Sequence, residues 1–503
     1  MDNTPKKNRA TTVKFAALAL GGIVAILAQS QPRSVLADDL RDTSRQLQAD
    51  FAADVDALAA WCQQQGFPEQ ADATRAVLCP QDPYKLYLPV LPEEVDRPLA
   101  PEGSSPEQAQ WARRLSRLRT EHARELFEIA RGAIHRNQPS LAFELVLRAI
   151  HADPDHEAVR RVLGYQKYQG HWRTVDEVQR LRSGEVWHER FGWLPRAHVR
   201  RYEQGQRWVG GRWVDAKQAA SLHADIRNGW LVETEHYAIR TNASLEAGVA
   251  LAGKLELLRR LWGQIFVRYH ASAAQVKELF AGRARRNGSM PPMKIAFFRD
   301  RDDYVRMLQP SMPNIEISIG AYIEHTRRAY FFAGDGYDDR TLFHEATHQL
   351  FHQSRPVPPN VGRKGNFWII EGIAMYMESL RREGDYYVLG GVDDSRMVAA
   401  RYRRLVDDFY VPLEEFTAMG MEPLQTHPRV ATLYSQAAGL AHFLIHYDGG
   451  RYRDALVAYL STVYAGRDTP NTLAQLTGTS YRELDRQYRE FLVACEKQAR
   501  AEP

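Results

Sequence analysis

Residues 341–351 read TLFHEATHQLF, in which His344, Glu345 and His348 form the pattern H-E-x-x-H. Residues four apart lie on one face of an α-helix, so His344 and His348 can offer imidazole nitrogens to one metal ion. Glu345 is turned about 100° away from His344, which lets it reach a water on the metal rather than the metal itself. The neighbouring residues of the motif are apolar and indicate a half-buried helix: Leu342, Phe343, Ala346, Leu350 and Phe351.

A catalytic zinc takes three protein ligands and keeps its fourth position open. The segment NFWIIEGIAMYME (366–378) supplies the third candidate, Glu371, 23 positions after His348. A zinc in such a site increases the acidity of water and polarises a scissile carbonyl, and Glu345 would take the proton. We therefore predict one Zn²⁺ per chain on His344, His348 and Glu371, with Glu345 as the general base.

The two motifs together, HEATH and W-x-x-E-G-x-A-x-Y, resemble the gluzincin metallopeptidases, the group that includes thermolysin and aminopeptidase N. More closely, the chain from about Leu231 to Phe491 resembles the peptidase MA-like domain of unknown function found in exported bacterial proteins. The resemblance implies that Glu371 is the third zinc ligand. It also implies a zinc-dependent enzyme that acts on a peptide or protein substrate.

Two further features fit this resemblance. Gluzincins bind an extended substrate along an edge strand before the metal helix, and ISIGAYIEH, with Gly320, Ala321 and Tyr322, lies at that place in the sequence. An ordinary strand of the sheet is the alternative. Some gluzincins carry a downstream tyrosine that stabilises an oxyanion, and Tyr434 has a similar position. The alternative for Tyr434 is a core or surface tyrosine.

The sequence departs from the thermolysin pattern in two ways. The aspartate four residues after the glutamate ligand is replaced by Met375, and Glu378 is the nearest carboxylate that could support a metal-bound histidine. Glu378 could equally be solvated. His352 extends the histidine series, but we interpret it as a bystander because the glycine of the metzincin pattern is missing. No pocket for a free amino terminus is evident, which disfavours an aminopeptidase.

The N-terminus predicts export. A basic head (1–14) precedes the apolar run FAALALGGIVAILA (15–28), which is shorter than the about 20 residues that span a bilayer. We predict a signal peptide over residues 1–37, with cleavage after Ala28 as the alternative, and a periplasmic, envelope or extracellular location. A further alternative is an uncleaved anchor, and only then would the protein associate with a membrane. Residues 38–503 carry no net formal charge, and no nucleic-acid-binding motif is present, so a nucleic-acid partner is excluded.

Three cysteines occur in 503 residues: Cys62, Cys79 and Cys495. In an oxidising compartment, Cys62 and Cys79 are candidates for a disulfide that closes a short loop. Buried free thiols are the equally favoured alternative.

The remaining pattern predicts an α+β protein in three parts. Residues 38–163 form a mostly helical region with a Pro-rich linker and one tetratricopeptide-like helical hairpin, which could hold a protein partner. Residues 164–228 form a Gly/Trp-rich β connector, and residues 229–503 form the gluzincin-like domain, in which strands precede helices. The leading function is an exported zinc metallopeptidase; the alternative is a non-catalytic binding or scaffold protein that retains the peptidase-like fold.

Overall fold

A computed structural model describes residues 33–95, 103–283 and 290–501. Most of the predicted signal peptide (1–37) lies outside these residues, because the description starts at residue 33. In the described part of the chain, none of the helices combines the length and the apolar content needed to cross a membrane. The fold mixes helices with small sheets, which confirms the α+β class.

The N-terminal part is mainly helical. Its helices are α1 (Arg33–Gln64), α2 (Pro68–Arg75), α3 (Pro106–His135), α4 (Pro139–Ala152) and α5 (Glu157–Val162). Helix α3 starts with a capping box, in which Ser105 and Gln108 each accept a backbone hydrogen bond from the other. The predicted helical hairpin is present as α4 and α5, although α5 has only six residues. Helix α4 also packs along α3 in an alanine-rich core.

Part of the predicted Pro-rich linker is a strand. Strand β1 (Lys85–Pro89) pairs antiparallel with β14 (Tyr386–Gly390), which also pairs with β13 (Arg381–Glu383). Prolines had indicated a loop here, but Pro89 is the last residue of an edge strand, where a missing N–H is tolerated. The pairing joins two regions about 300 residues apart in sequence, so no local pattern could reveal it.

The Gly/Trp-rich connector consists of three successive units, each a β-hairpin followed by a short helix. The units are β2 (Tyr165–Tyr168), β3 (His171–Thr174) and α6 (Val175–Arg182); β4 (Glu185–His188), β5 (Gly192–Pro195) and α7 (Val199–Glu203); β6 (Gln206–Val209), β7 (Arg212–Asp215) and α8 (Ala216–Leu222). Trp187 lies opposite Trp193, and Trp208 lies opposite Trp213, at the same hairpin position. The predicted β connector is therefore a repeat of one hairpin-and-helix unit.

A five-stranded sheet carries the candidate site at one edge. Its strands are β8 (Trp230–Glu233), β9 (Tyr237–Thr241), β10 (Met293–Phe298), β11 (Ala321–Ile323) and β12 (Arg328–Phe332). The order is β11-β12-β10-β9-β8, with the three central strands parallel and both edge strands antiparallel. The chain turns at 234–236, between β8 and β9, so these two strands form a hairpin.

Helices dominate the rest of the chain, as predicted. They are α9 (Leu245–Ile265), α10 (Val267–His270), α11 (Ala273–Phe280), α12 (Arg301–Leu308), α13 (Asp339–Gln353), α14 (Phe367–Met377), α15 (Ser395–Leu405), α16 (Leu413–Ala418), α17 (Met421–Gln425), α18 (Val430–Gly450, with a kink at 447–449), α19 (Arg453–Val463), α20 (Thr472–Thr477) and α21 (Tyr481–Ala501). One hydrophobic core extends from the sheet through α13, α14 and α18.

The predicted disulfide is not formed. All three cysteines are free thiols. Cys62 packs with Ala59 and Ala71 between α1 and α2, whereas Cys79 lies close to Tyr386 of β14. The two side chains therefore belong to different packing environments. Their short separation in sequence does not bring the two sulfurs into bonding distance.

Candidate metal centre

Two packed helices build the centre. Helix α13 begins after Asp338, whose carboxylate accepts the backbone N–H of Arg340 at 2.9 Å. Helix α14 is apolar and buried along nearly its whole length, and Glu371 is its only charged residue. Because α14 packs on α13 inside the core, Glu371 is brought next to His344 and His348 instead of facing solvent. The predicted H-E-x-x-H helix and E-G-x-A helix are thus adjacent.

The potential ligand atoms converge. The Nε2 atoms of His344 and His348 are 3.1 Å apart, and the Glu371 carboxylate oxygens lie 3.5 Å from the first and 3.8 Å from the second. Three ligands of a tetrahedral zinc at about 2.1 Å would be about 3.4 Å from one another, so this donor set fits such an ion. Among the described residues, His344, His348 and Glu371 are the group of potential ligands that lie close enough together to hold a metal ion.

The electrostatics of the cluster also suit a cation. Burial opposes a charge on His344, but hydrogen bonds to Glu371 and Glu378 and the charge of Glu345 raise its pKa to about 10. Burial lowers the pKa of His348 to about 4, so this imidazole is neutral, as a metal ligand must be. Burial opposes the ionisation of Glu371, yet the two histidines lower its pKa. The site therefore stabilises positive charge at its centre.

Glu378 supports His344. Its Oε1 lies 2.8 Å from Nδ1 of His344, and its side chain is only 5% exposed. A carboxylate at this nitrogen keeps the proton on Nδ1 and leaves Nε2 free to bind a metal. Of the two interpretations that the sequence left open, the solvated carboxylate is wrong. Met375, which takes the position of the thermolysin aspartate, is fully buried in the core.

Two arginines hold Glu378 in place. Arg396 makes two bonds to its carboxylate, at 2.8 and 2.9 Å, and Arg340 lies at 3.4 Å. Burial opposes the charge of Glu378, but hydrogen bonds from His344 and Arg396 lower its pKa to about 2. Asp394 in turn contacts Arg340 and caps the helix that carries Arg396. No local sequence pattern reveals this support, because arginines near helix starts ordinarily indicate solvated positions.

Glu345 faces the edge strand. Its Oε2 accepts the backbone N–H of Tyr322 at 2.8 Å. Burial raises the pKa of Glu345, while the charge of His344 and the Tyr322 hydrogen bond oppose the rise. The predicted base therefore lies beside the metal cluster with one oxygen anchored, in surroundings that favour proton uptake.

The segment predicted to bind substrate, residues 320–322, also lies beside Glu345. Strand β11 is an edge strand, as predicted, and contains Ala321 and Tyr322, while Gly320 immediately precedes it. A Cβ on Gly320 would lie 3.0 Å from Cγ2 of Thr341 and 3.2 Å from the Phe331 ring. A glycine therefore allows the close approach of the strand to α13.

The remaining two residues singled out in the sequence are Tyr434 and His352. Tyr434 on α18 is half-buried, and burial together with the charges of Glu371 and Glu345 raises its pKa. It is therefore a protonated donor within electrostatic reach of the cluster. His352 lies outside the ligand group and packs between Tyr322 and Tyr464, with Nδ1 3.8 Å from Glu324.

Comparison with known proteins gives one match. The family described as Protein of unknown function (DUF1570) matches residues 339–468, a segment that contains α13, α14 and α18. No curated protein and no solved structure matches the chain. The matched family is consistent with a peptidase MA-like domain and assigns no activity, so the geometry of the cluster is the main guide to function.

Proposed function

We propose that this chain is an exported zinc-dependent metallopeptidase of the gluzincin type. The observation that carries the proposal is the convergence of His344, His348 and Glu371 with Glu345 directly beside them. A structural zinc site is usually closed by four protein ligands, whereas three ligands and an adjacent carboxylate are typical of a hydrolytic site.

The residues would divide the work as follows. When bound, zinc supplies Lewis acidity that polarises a carbonyl and increases the acidity of water. One oxygen of Glu345 is fixed by the Tyr322 N–H, so the other oxygen is the one that would take the proton. Glu345 would then deliver this proton to the leaving amine. Glu378 holds the proton of His344 at Nδ1 and thereby orients the ring.

An extended peptide would add to β11 as a further strand. The Tyr322 N–H that now binds Glu345 belongs to the free edge of the sheet, so the groups that recognise a backbone lie next to the base. Tyr434, kept protonated, would donate to the developing oxyanion. Export, inferred from residues 1–37, would place this activity outside the cytoplasm.

A Glu345→Gln variant tests the proposal. The variant keeps the size and the Tyr322 hydrogen bond but loses the base, so zinc should stay bound while cleavage of an unfolded protein substrate falls at least about a hundredfold. New peptide termini are counted by mass spectrometry, with exposed Glu415→Gln as the matched control. Equal cleavage by Glu345→Gln and the parent would refute the assignment.

The alternative is a non-catalytic scaffold, and one observation favours it. Trp187 and Trp208 of the hairpin units are 39% and 42% exposed, which provides an aromatic surface for a partner. On this alternative, zinc would bind but no substrate would be cut by the parent protein. The Glu345→Gln experiment separates the two functions because only the peptidase has an activity to lose.

A further inference from the structure

A cavity lies away from the metal cluster. It has a volume of about 750 Å³ and is formed by α9, the first two hairpin units and the turn between β8 and β9. This volume is in the range of small-molecule sites, and none of the residues of the metal cluster lines it.

Arg259 brings a positive charge into this cavity. Among the described residues, no carboxylate lies within ion-pair distance of its guanidinium and no hydrogen bond engages it; its contact is the Trp262 ring, 5.3 Å away. A Cβ on Gly263 would lie 2.7 Å from Nη1 of Arg259, so the glycine leaves room for the guanidinium. A guanidinium without an acceptor in a cavity is an unfilled anion-binding group.

Burial lowers the pKa of Arg259, and the charges of Glu256 and Glu235 in the lining oppose this effect without forming an ion pair with the guanidinium. Four of the five carboxylates of the lining already have partners: Glu93 with Arg173, Asp176 with Arg180, Glu177 with the backbone of Thr174, and Glu256 with His236. The fifth, Glu235, is exposed. Arg260, next to Arg259, bonds only the neutral Tyr165 hydroxyl, at 3.1 Å. Among the described residues, none accepts a hydrogen bond from Arg259, so its N–H donors remain unfilled in a cavity whose lining also carries carboxylate charge.

The surroundings select among anions. A dianion would be repelled by the acidic side chains of the lining, whereas a single carboxylate matches the planar guanidinium in charge and geometry. Tyr165, Trp187 and Trp193 supply aromatic surface for an apolar group. We propose that this cavity binds a small organic molecule through its carboxylate, with Arg259 as the anion-binding residue and the hairpin aromatics as the apolar wall.

Phenylacetate, its neutral amide phenylacetamide and phenyl phosphate test this proposal by titration calorimetry on the full chain. Phenylacetate should bind saturably and at least about tenfold more tightly than phenylacetamide, the effect of one charge-assisted hydrogen-bond pair. Phenyl phosphate should bind more weakly than phenylacetate. Equal affinity for the amide, tighter binding of the phosphate, or no saturable binding of phenylacetate would overturn the proposal, and none of these comparisons needs a variant.

Variants locate the site. Arg259→Gln should lose at least about tenfold in phenylacetate affinity, whereas the exposed Arg117→Gln should keep it. His348→Ala should also keep it, because the cavity is independent of the metal cluster. Unchanged binding by a folded Arg259→Gln protein would contradict the assignment of Arg259.

Discussion

Nδ1 of His344 lies 2.8 Å from Oε1 of Glu378, the residue that ends α14 seven positions after Glu371. One helix therefore supplies both a candidate metal ligand and the carboxylate that orients another. A carboxylate in this position fixes which imidazole nitrogen is free.

Glu378→Ala should weaken zinc binding by about 10- to 100-fold, because His344 loses the partner that fixes its tautomer. Competition with a coloured chelator measures the affinity. Glu415→Ala, an exposed change on α16, is the control and should not alter it. An unchanged affinity in Glu378→Ala would show that the contact does not support the ligand.

Gly320→Val should reduce cleavage while zinc stays bound. The added side chain would collide with Thr341 and Phe331, and would push β11 away from α13 and lengthen the Tyr322–Glu345 hydrogen bond. A misplacement of about 1 Å costs up to about a hundredfold in rate. Thr341→Ala in the same chain should restore part of the activity. Full activity in Gly320→Val would argue against β11 as the substrate strand.

Stability in acid should depend on Glu144, which binds Arg148 at 2.7 Å and Arg453 at 2.6 Å. Burial alone would raise its pKa, but the arginines outweigh burial and lower it from 4.5 to about 2. The folded pKa is depressed, so the stabilisation, of order 3 kcal/mol, is complete above about pH 4.5 and is lost as the pH falls towards 2.

Urea unfolding from pH 2 to pH 6 measures this contribution. The difference in free energy of unfolding between the parent and Glu144→Gln should be largest above pH 4.5 and should shrink in acid. Glu128→Gln, an exposed change on α3, should show no such trend. A constant difference for Glu144→Gln would contradict the assigned pKa.

All three thiols should react when the protein is unfolded without reductant, because the structure pairs none of them. Titration with a chromogenic disulfide counts them. Reaction of a single thiol per chain, from Cys495, would show that Cys62 and Cys79 are linked and that the packing around them differs.

The features that depend on local sequence patterns were predicted: the two helices of the candidate site and the residues on them. The H-E-x-x-H spacing placed His344, Glu345 and His348 on one helix, and the apolar run around Glu371 indicated a second buried helix. Both helices are present, as α13 and α14. The same patterns left the role of Glu378 open, since a carboxylate at a helix end is as consistent with solvent as with a buried histidine.

Long-range pairing accounts for most of what was missed. Strand β1 is defined by its partner β14, not by its own proline-rich sequence. Arg340, Arg396 and Asp394 converge on Glu378 from separate helices, which no spacing rule encodes. The hairpin repeat was visible as recurring Gly and Trp, but only the pairing of Trp187 with Trp193 and of Trp208 with Trp213 identifies the unit.

Metal content tests the central claim most directly. Purified full-length protein, reconstituted with zinc and dialysed, is analysed for zinc beside the His348→Ala variant. We predict one zinc per chain in the parent and little in the variant, because two ligands hold zinc far more weakly than three. No stoichiometric zinc in the parent, or equal zinc in both proteins, would contradict the assignment of His344, His348 and Glu371 as a metal centre.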